Sequence, residues 1–266
     1  MSALSKAGSL SLAAFLTAAA AAQAADTKEV HRTVALDRDG VVTVDTFKGT
    51  VTVTTWDKPE VRVDALIEPD GDCRESREKV QWTEVRISGG GGSVEIKSDY
   101  DEIKHHEHGF LGLFDFESGL RPLVRYTIQM PATARLDIRD YKSGINVSNL
   151  KADLRLHTYK GTARVANLDG AARVDTYKGD VRVEFARYSH ASRFNTYKGE
   201  IDVRLPRDSH FALDADSGRH GDIESDFAMA THASRSRSGR ATGAVNGGGP
   251  DLRMTTYKGT LRVRAS

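Results

Sequence analysis

The sequence predicts an all-β fold: a stacked β-solenoid with coils of about 18–20 residues, preceded by a less regular β-rich N-terminal half. Three observations carry this reading. The string Thr-Tyr-Lys-Gly occurs four times, beginning at Thr158, Thr176, Thr196 and Thr256. The residues around it alternate apolar and polar with period two, the pattern of half-buried strands. Helical three-four spacing is absent from these repeats.

Taken from the N-terminus, residues 1–24 read as a Sec-type signal peptide. Lys6 supplies a positive start, Leu10 to Ala22 an apolar stretch, and Ala22-Gln23-Ala24 a small-x-small cleavage site. The expected location is the periplasm, the medium or the cell surface. A membrane anchor is the alternative, disfavoured by the short apolar run and the cleavage pattern. No Cys follows that site, which argues against lipidation, and no later apolar run reaches about 18 residues, the length needed to span a membrane.

Residues 25–125 form the irregular part and 126–266 the regular part, read as one continuous domain from residue 30. In the irregular part Val30 to Leu36, Val41 to Val44, Val51 to Thr55 and Val61 to Ile67 alternate as strands. Arg74 to Val80 is a short charged helix. Thr83 to Ile87 and Ser93 to Lys97 flank four glycines as a hairpin-like pair. Residues 99–121 are a loop, and Val124 to Met130 is a strand stopped by Pro131. Thr231 to Pro250, rich in Ser, Arg, Gly and Ala, reads as an extended loop.

One regular unit runs from Asp153 to Gly170. Leu154, Leu156 and Thr158 alternate in a first strand, Tyr159-Lys160-Gly161 makes a corner, Ala163 and Val165 alternate in a second, and Asn167 to Gly170 turns the chain. So short a unit cannot cover both faces of its strands, whereas stacked copies share one core. Lys142, Lys160, Lys178 and Lys198 recur at 18, 18 and 20 residues. Gly218 follows Lys198 by 20 residues, and Lys258 follows Gly218 by 40, which reads as two periods or as one coil with a long loop. A sandwich of hairpins is the competing architecture, but it gives identical corner residues no reason to recur.

Composition narrows function. Lys and Arg total 38 against 37 Asp and Glu, and loss of Lys6 with the leader leaves 37 of each. A nucleic-acid binder is therefore not expected. The single cysteine, Cys73, excludes an intramolecular disulfide framework.

The sharpest binding candidate is the corner. In a solenoid Tyr141, Tyr159, Tyr177 and Tyr197 stack in one column and Lys142, Lys160, Lys178 and Lys198 in another. Stacked rings gain about 0.5–1.5 kcal/mol per pair, which accounts for the tyrosines structurally. Lysines about 5 Å apart repel by roughly 1 kcal/mol. Asp140, Asp175, Asp180 and Glu200 are candidates to neutralise them, and a stripe for polyanion or glycan is the functional reading. His105, His106 and His108, with Asp99, Asp101 and Glu102 before them, are the metal candidates, although they lack a defined ligand spacing. Ser189-His190, Ser209-His210 and Thr231-His232 recur at turns without a nucleophile elbow. No catalytic residue is assigned, and no cofactor is expected.

Tyr126 to Pro131, Trp56-Asp57-Lys58-Pro59-Glu60-Val61, Asp214 to Gly218 with Gly221-Asp222-Ile223, and Val245-Asn246-Gly247-Gly248-Gly249-Pro250 together resemble the bacterial putative-adhesin family of β-strand-repeat domains of unknown function, related to autotransporter adhesin heads. The resemblance covers the chain from about residue 30 and implies an envelope-associated β-solenoid without established enzymatic activity. The repeated Tyr-Lys departs from that family's habit and belongs to this sequence. The expected role is a non-catalytic, adhesin-like binding or scaffold protein of the cell envelope, with an envelope glycan or another envelope protein as partner and self-association through exposed end strands open to it. The rival readings are a polysaccharide-active β-helix enzyme and a metal-binding envelope protein using the histidine segment.

Overall fold

The computed structural model describes residues 26–103, 121–228 and 239–266. These residues fold as the expected solenoid. Its strands are β1 (Lys28–Trp56), β2 (Glu60–Glu68), β3 (Glu84–Asp99), β4 (Leu123–Pro131), β5 (Arg135–Ser148), β6 (Leu154–Thr158), β7 (Thr162–Leu168), β8 (Ala172–Lys178), β9 (Val181–Phe185), β10 (Ser192–Lys198), β11 (Ile201–Leu205), β12 (Phe211–Asp216), β13 (Asp222–Ser225), β14 (Arg240–Val245), β15 (Asp251–Lys258) and β16 (Thr260–Ala265). One described helix of two full turns or more, α1 (Arg74–Trp82), lies where the charged helix is expected and buries Val80.

Each coil contributes one strand to each of two parallel ladders. The first runs β3, β1, β5, β6, β8, β10, β15, β12, and the second β4, β1, β5, β7, β9, β11, β16, β13. β1 and β5 are long enough to pass through both. Antiparallel strands finish the stack: β14 lies on β12, and β2 lies on β4 and on the N-terminal part of β1.

Period-two alternation places the core. Leu136, Leu154, Ala172, Leu252 and Leu213 fall in one inward column, and Ile138, Leu156, Val174, Phe194, Met254 and Ala215 in the next, all essentially buried. The second ladder adds Val147, Val165, Val183, Val203 and Val263. Apart from Ser192, which lies between Ala172 and Leu252 and accepts from the Ala172 N–H (3.0 Å), these columns are apolar from coil to coil, so the core is continuous.

Three expectations require correction. The 40-residue step to Lys258 is neither two periods in line nor a simple loop. β15 and β16 lie between β10–β11 and β12–β13, so the coil latest in sequence is not the outermost in space. β1 is similarly placed between β3–β4 and β5. The three early strands within residues 30–55 are one element that changes partner at each bend rather than ending: residues 28–35 pair with β2, 41–45 with β3 and β5, and 49–56 with β4 and β5. The hairpin-like pair about the four glycines is present within β3: the chain folds back there, bringing Arg86 to Asp99 (2.6 Å), and residues 91–97 run parallel to β1. Finally, Arg240–Val245 is a strand, because its small residues can lie flat against β12.

Corner glycines work in two ways. Gly49, Gly179, Gly199 and Gly259 have φ between +136° and +150°, a conformation that side-chain-bearing residues avoid. Gly161 lacks the positive φ, but a Cβ there would meet Thr158 Oγ1 at 2.5 Å and the Ser143 carbonyl at 2.7 Å. At Gly179 a Cβ would lie 1.8 Å from the Gly161 carbonyl oxygen. Gly179→Ala is therefore expected to cost more than about 1 kcal/mol in urea denaturation. Gly92→Ala, where nothing lies within 4 Å, serves as the control and is expected to change stability little.

Candidate functional site

The corner begins with a buried hydroxyl. Thr158, Thr176, Thr196 and Thr256 point inward at the end of their strands, so the following tyrosine points out and the lysine after it lies at the corner itself. Backbone bonds between neighbouring corners hold this arrangement: Lys160 N–H donates to the Tyr141 carbonyl (2.7 Å) and Lys178 N–H to that of Tyr159 (2.8 Å).

Parallel strands lie about 4.8 Å apart, a spacing that also suits stacked rings. The tyrosines accordingly form one column. Ring centroids are 5.0 Å apart for Tyr141–Tyr159 and 4.9 Å for both Tyr159–Tyr177 and Tyr177–Tyr197, the last two pairs 3° from parallel. The column extends one ring further at each end than the four sequence candidates. Phe47 stacks on Tyr141 at 4.7 Å and Tyr257 on Tyr197 at 5.0 Å. Arg121 covers Phe47, its guanidinium carbon 4.3 Å from the ring centre, and Tyr100 packs edge-on beside it. At the opposite end His220 meets Tyr257 edge-on. Exposure rises along the stack from 38% at Tyr141 to 52% at Tyr257, so the ring edges face solvent.

Lys142, Lys160, Lys178 and Lys198 form the adjoining column, with Lys48 and Lys258 in register at its ends. Lys160 lies over the rings of Tyr159 (5.2 Å) and Tyr141, and Lys178 over Tyr177 (5.6 Å). The expected neutralising acids do not reach these lysines. Asp140 is buried, Asp175 accepts from Asn195 Nδ2 (2.6 Å), Asp180 accepts from the Glu200 N–H (2.9 Å), and Glu200 pairs with Arg262. The acids occupy strand and turn positions whose side chains leave the corner in other directions. Only the end lysine, Lys48, meets a carboxylate, that of Asp70. The five lysines from Lys142 to Lys258 have no carboxylate partner among the described residues.

The tyrosine stack stands as a ridge between two shallow concavities. One, of about 580 Å³, is bounded by the tyrosine rings with His157, Asp175, Asn195 and Asp216. The other, of about 420 Å³, lies between Tyr177, Tyr197 and Tyr257 and the lysines 178, 198 and 258, with His220 at its end.

Behind the ridge runs an internal polar column, of which strand alternation in the sequence marks Thr158 as an inward position. Ser98 and Thr46 share a hydrogen bond (3.1 Å), and Ser98 also meets the Tyr126 hydroxyl (2.7 Å). Asp140 takes the place that threonine holds in the later coils. Its Oδ2 accepts from the Thr158 hydroxyl (2.7 Å) and the Ser143 N–H (2.8 Å). Burial pushes its carboxyl above the ordinary range, against the pull of these bonds.

The other sequence candidates are not gathered here. His105, His106 and His108 lie outside the described residues. Ser189 Oγ and His190 Nδ1 are 3.0 Å apart on an exposed turn, and His210 bonds the Asn246 carbonyl rather than Ser209. Cys73 is exposed just before α1.

Parallel coils, inward aliphatic columns and a repeated polar corner define a β-solenoid repeat protein. The chain belongs to the Toastrack DUF4097 family of domains of unknown function, whose model matches residues 78–264. Among solved structures it is similar to a putative cell adhesion protein from Clostridium sporogenes, at 11% identity and a TM-score of 0.40, covering 90% of this chain and 100% of that one. It is also similar to a putative adhesin from Bacteroides fragilis, at 12% identity and a TM-score of 0.45, covering 89% and 97%. No curated protein matches.

Two outcomes follow from the corner. Tyr177→Ala removes two stacking contacts and is expected to cost about 1–3 kcal/mol in urea denaturation, whereas Tyr177→Phe, which keeps the ring, is expected to be close to neutral. For Asp140 the folded pKa lies above the unfolded one. The stability it contributes is fully present below the ordinary carboxylate range and is lost as pH rises through the raised value. Asp140→Thr is therefore expected to raise the urea midpoint more at pH 7 than at pH 3. An equal shift at both values would contradict this reading.

Proposed function

We propose that this protein is an exported, non-catalytic, adhesin-like binding or scaffold module of the bacterial cell envelope, and that its corner ladder holds an anionic envelope glycan. The observation that carries this reading is the column of exposed lysines without carboxylate partners, Lys142, Lys160, Lys178, Lys198 and Lys258, beside stacked tyrosines whose edges face solvent. Like charges so close repel, so an external polyanion lying along the axis lowers the energy of the folded surface itself. It meets one ammonium group per coil, and the ring edges offer apolar surface and hydroxyls to sugar units.

The leader-like residues 1–24 support export, and with it a periplasmic or surface location. The passage of β1 and β5 through both ladders supports one continuous domain from about residue 30. The polar groups nearest the ridge support a non-catalytic role, because they are spent on internal bonds: Asp175 on Asn195, and Asp216 on the Gly218 N–H.

The test is binding of the mature chain to immobilised peptidoglycan and envelope polysaccharides, with Lys160→Gln/Lys178→Gln/Lys198→Gln as the variant. Wild-type binding is expected to weaken with salt and to fall at least tenfold in the triple variant at unchanged thermal stability. No wild-type binding, or equal binding by both proteins, would leave the ladder a purely structural feature.

A further inference from the structure

A second cationic column crosses the outer face of the first ladder, away from the corner. Arg155, Arg173, Arg193 and Arg253 occupy one register position on four neighbouring coils, and all four are exposed. Arg253 is held by Asp214, one coil further on (3.2 Å). Arg155, Arg173 and Arg193 have no carboxylate within ion-pair distance among the described residues. The second ladder treats its arginines differently. Arg182, Arg204 and Arg264 gather around Asp202, and Arg262 is clasped by Glu200 and Glu224. The fold can therefore supply counter-charges to stacked arginines, and at Arg155, Arg173 and Arg193 it does not.

Beside this row lies a pocket of about 330 Å³, within the size range of small-ligand sites, about 300–1,000 Å³. It exists because Ala171 and Ala191 occupy the column next to the arginines and fill little space. The same column has acids at its ends, Asp153 and Asp251. Asp153 uses Oδ1 to accept from the Ala171 N–H (3.0 Å), and both acids are exposed.

We infer that this pocket is a binding site for a carboxylated sugar, a uronic-acid unit of an acidic polysaccharide. Each part of the pocket suits one part of such a ligand. Guanidinium groups bind carboxylates through paired, charge-assisted hydrogen bonds. The alanine floor accepts the C–H face of a sugar ring. Carboxylates are acceptors only, so Asp153 and Asp251 favour a ligand that brings hydroxyl donors along with its negative charge. A phosphate polymer without hydroxyls satisfies the arginines and leaves the two acids facing like charge. The site shares with the corner ladder only its preference for an anion, and no residue is common to both.

The experiment follows the alanine methyl resonances of Ala171, Ala172 and Ala191 in the mature chain during titration with trigalacturonate, a neutral glucose trimer and tripolyphosphate. Trigalacturonate is expected to shift these methyls with a saturating curve, with its affinity reduced at least tenfold in Arg173→Gln/Arg193→Gln. The lysine triple variant described above is expected to bind within twofold of wild type at these methyls. Ala191→Glu supplies the missing counter-charge within the chain. It is expected to abolish the shifts at Ala171 and Ala172 and provides a second variant should the arginine pair disturb folding. No shift with trigalacturonate, an unchanged affinity in both pocket variants, or loss in the lysine variant alone would overturn the site. Tighter binding of tripolyphosphate than of trigalacturonate would overturn its assignment to an acidic sugar. None of these outcomes depends on whether the corner ladder binds glycan.

Discussion

Parallel hydrogen bonding between successive coils is the constraint on which the rest of this structure depends. It sets the rise from coil to coil at about 4.8 Å and locks register, so that equivalent residues lie directly over one another. Every other feature is a column generated by that rule. Aliphatic columns make the core, hydroxyls line the inside of the corner, and rings, ammonium groups and guanidinium groups stand outside it. What a column does depends on whether its side chain gains or loses from close contact with a copy of itself.

Valine, leucine and tyrosine gain. Threonine is intermediate: Thr158 donates to Asp140 and accepts from the Gly161 N–H, while the hydroxyls of Thr176, Thr196 and Thr256 find no partner among the described residues. Lysine and arginine lose, unless the side chains splay, ions screen them or acids intervene. The second ladder shows intervention, with Asp202 set among three arginines. The corner and the outer face of the first ladder show repeated cations left to solvent. That contrast, within one molecule and one architecture, gives those two surfaces their functional interest.

Much of this was legible in the sequence because a repeat writes the same physics several times. Thr-Tyr-Lys-Gly located the corners, and period-two alternation located strands and core. The helix at Arg74–Trp82 was legible from its charge and length. What escaped was pairing order. Residues 252–265 look like a coil following 211–225, and local pattern says nothing about which coil a strand lies beside. The membership of Phe47 and Tyr257 in the ring column was hidden for the same reason, since their coils are out of sequence order. The continuity of β1 was obscured because a bend that keeps its hydrogen bonds looks locally like a strand end. The missing counter-charges at the lysines were invisible too. Closeness in sequence does not fix side-chain direction at a corner, and Asp140 in fact turns inward.

The out-of-order coils bear on how the molecule can be assembled. A solenoid whose coils lie in sequence order can grow as it is synthesised, each new coil zipping onto the last. Here β10 and β11 find their neighbours on one side only in residues 251–265, and β12 cannot dock on the stack before β15 is in place. Until then the growing sheet presents an open parallel edge, the kind of surface that recruits strands from other chains. The long sequence separation of these partners slows closure further, because the loop entropy is lost before the contacts form. Under the proposed export, the chain would cross the membrane unfolded and complete the stack only once residues 251–265 have emerged on the far side.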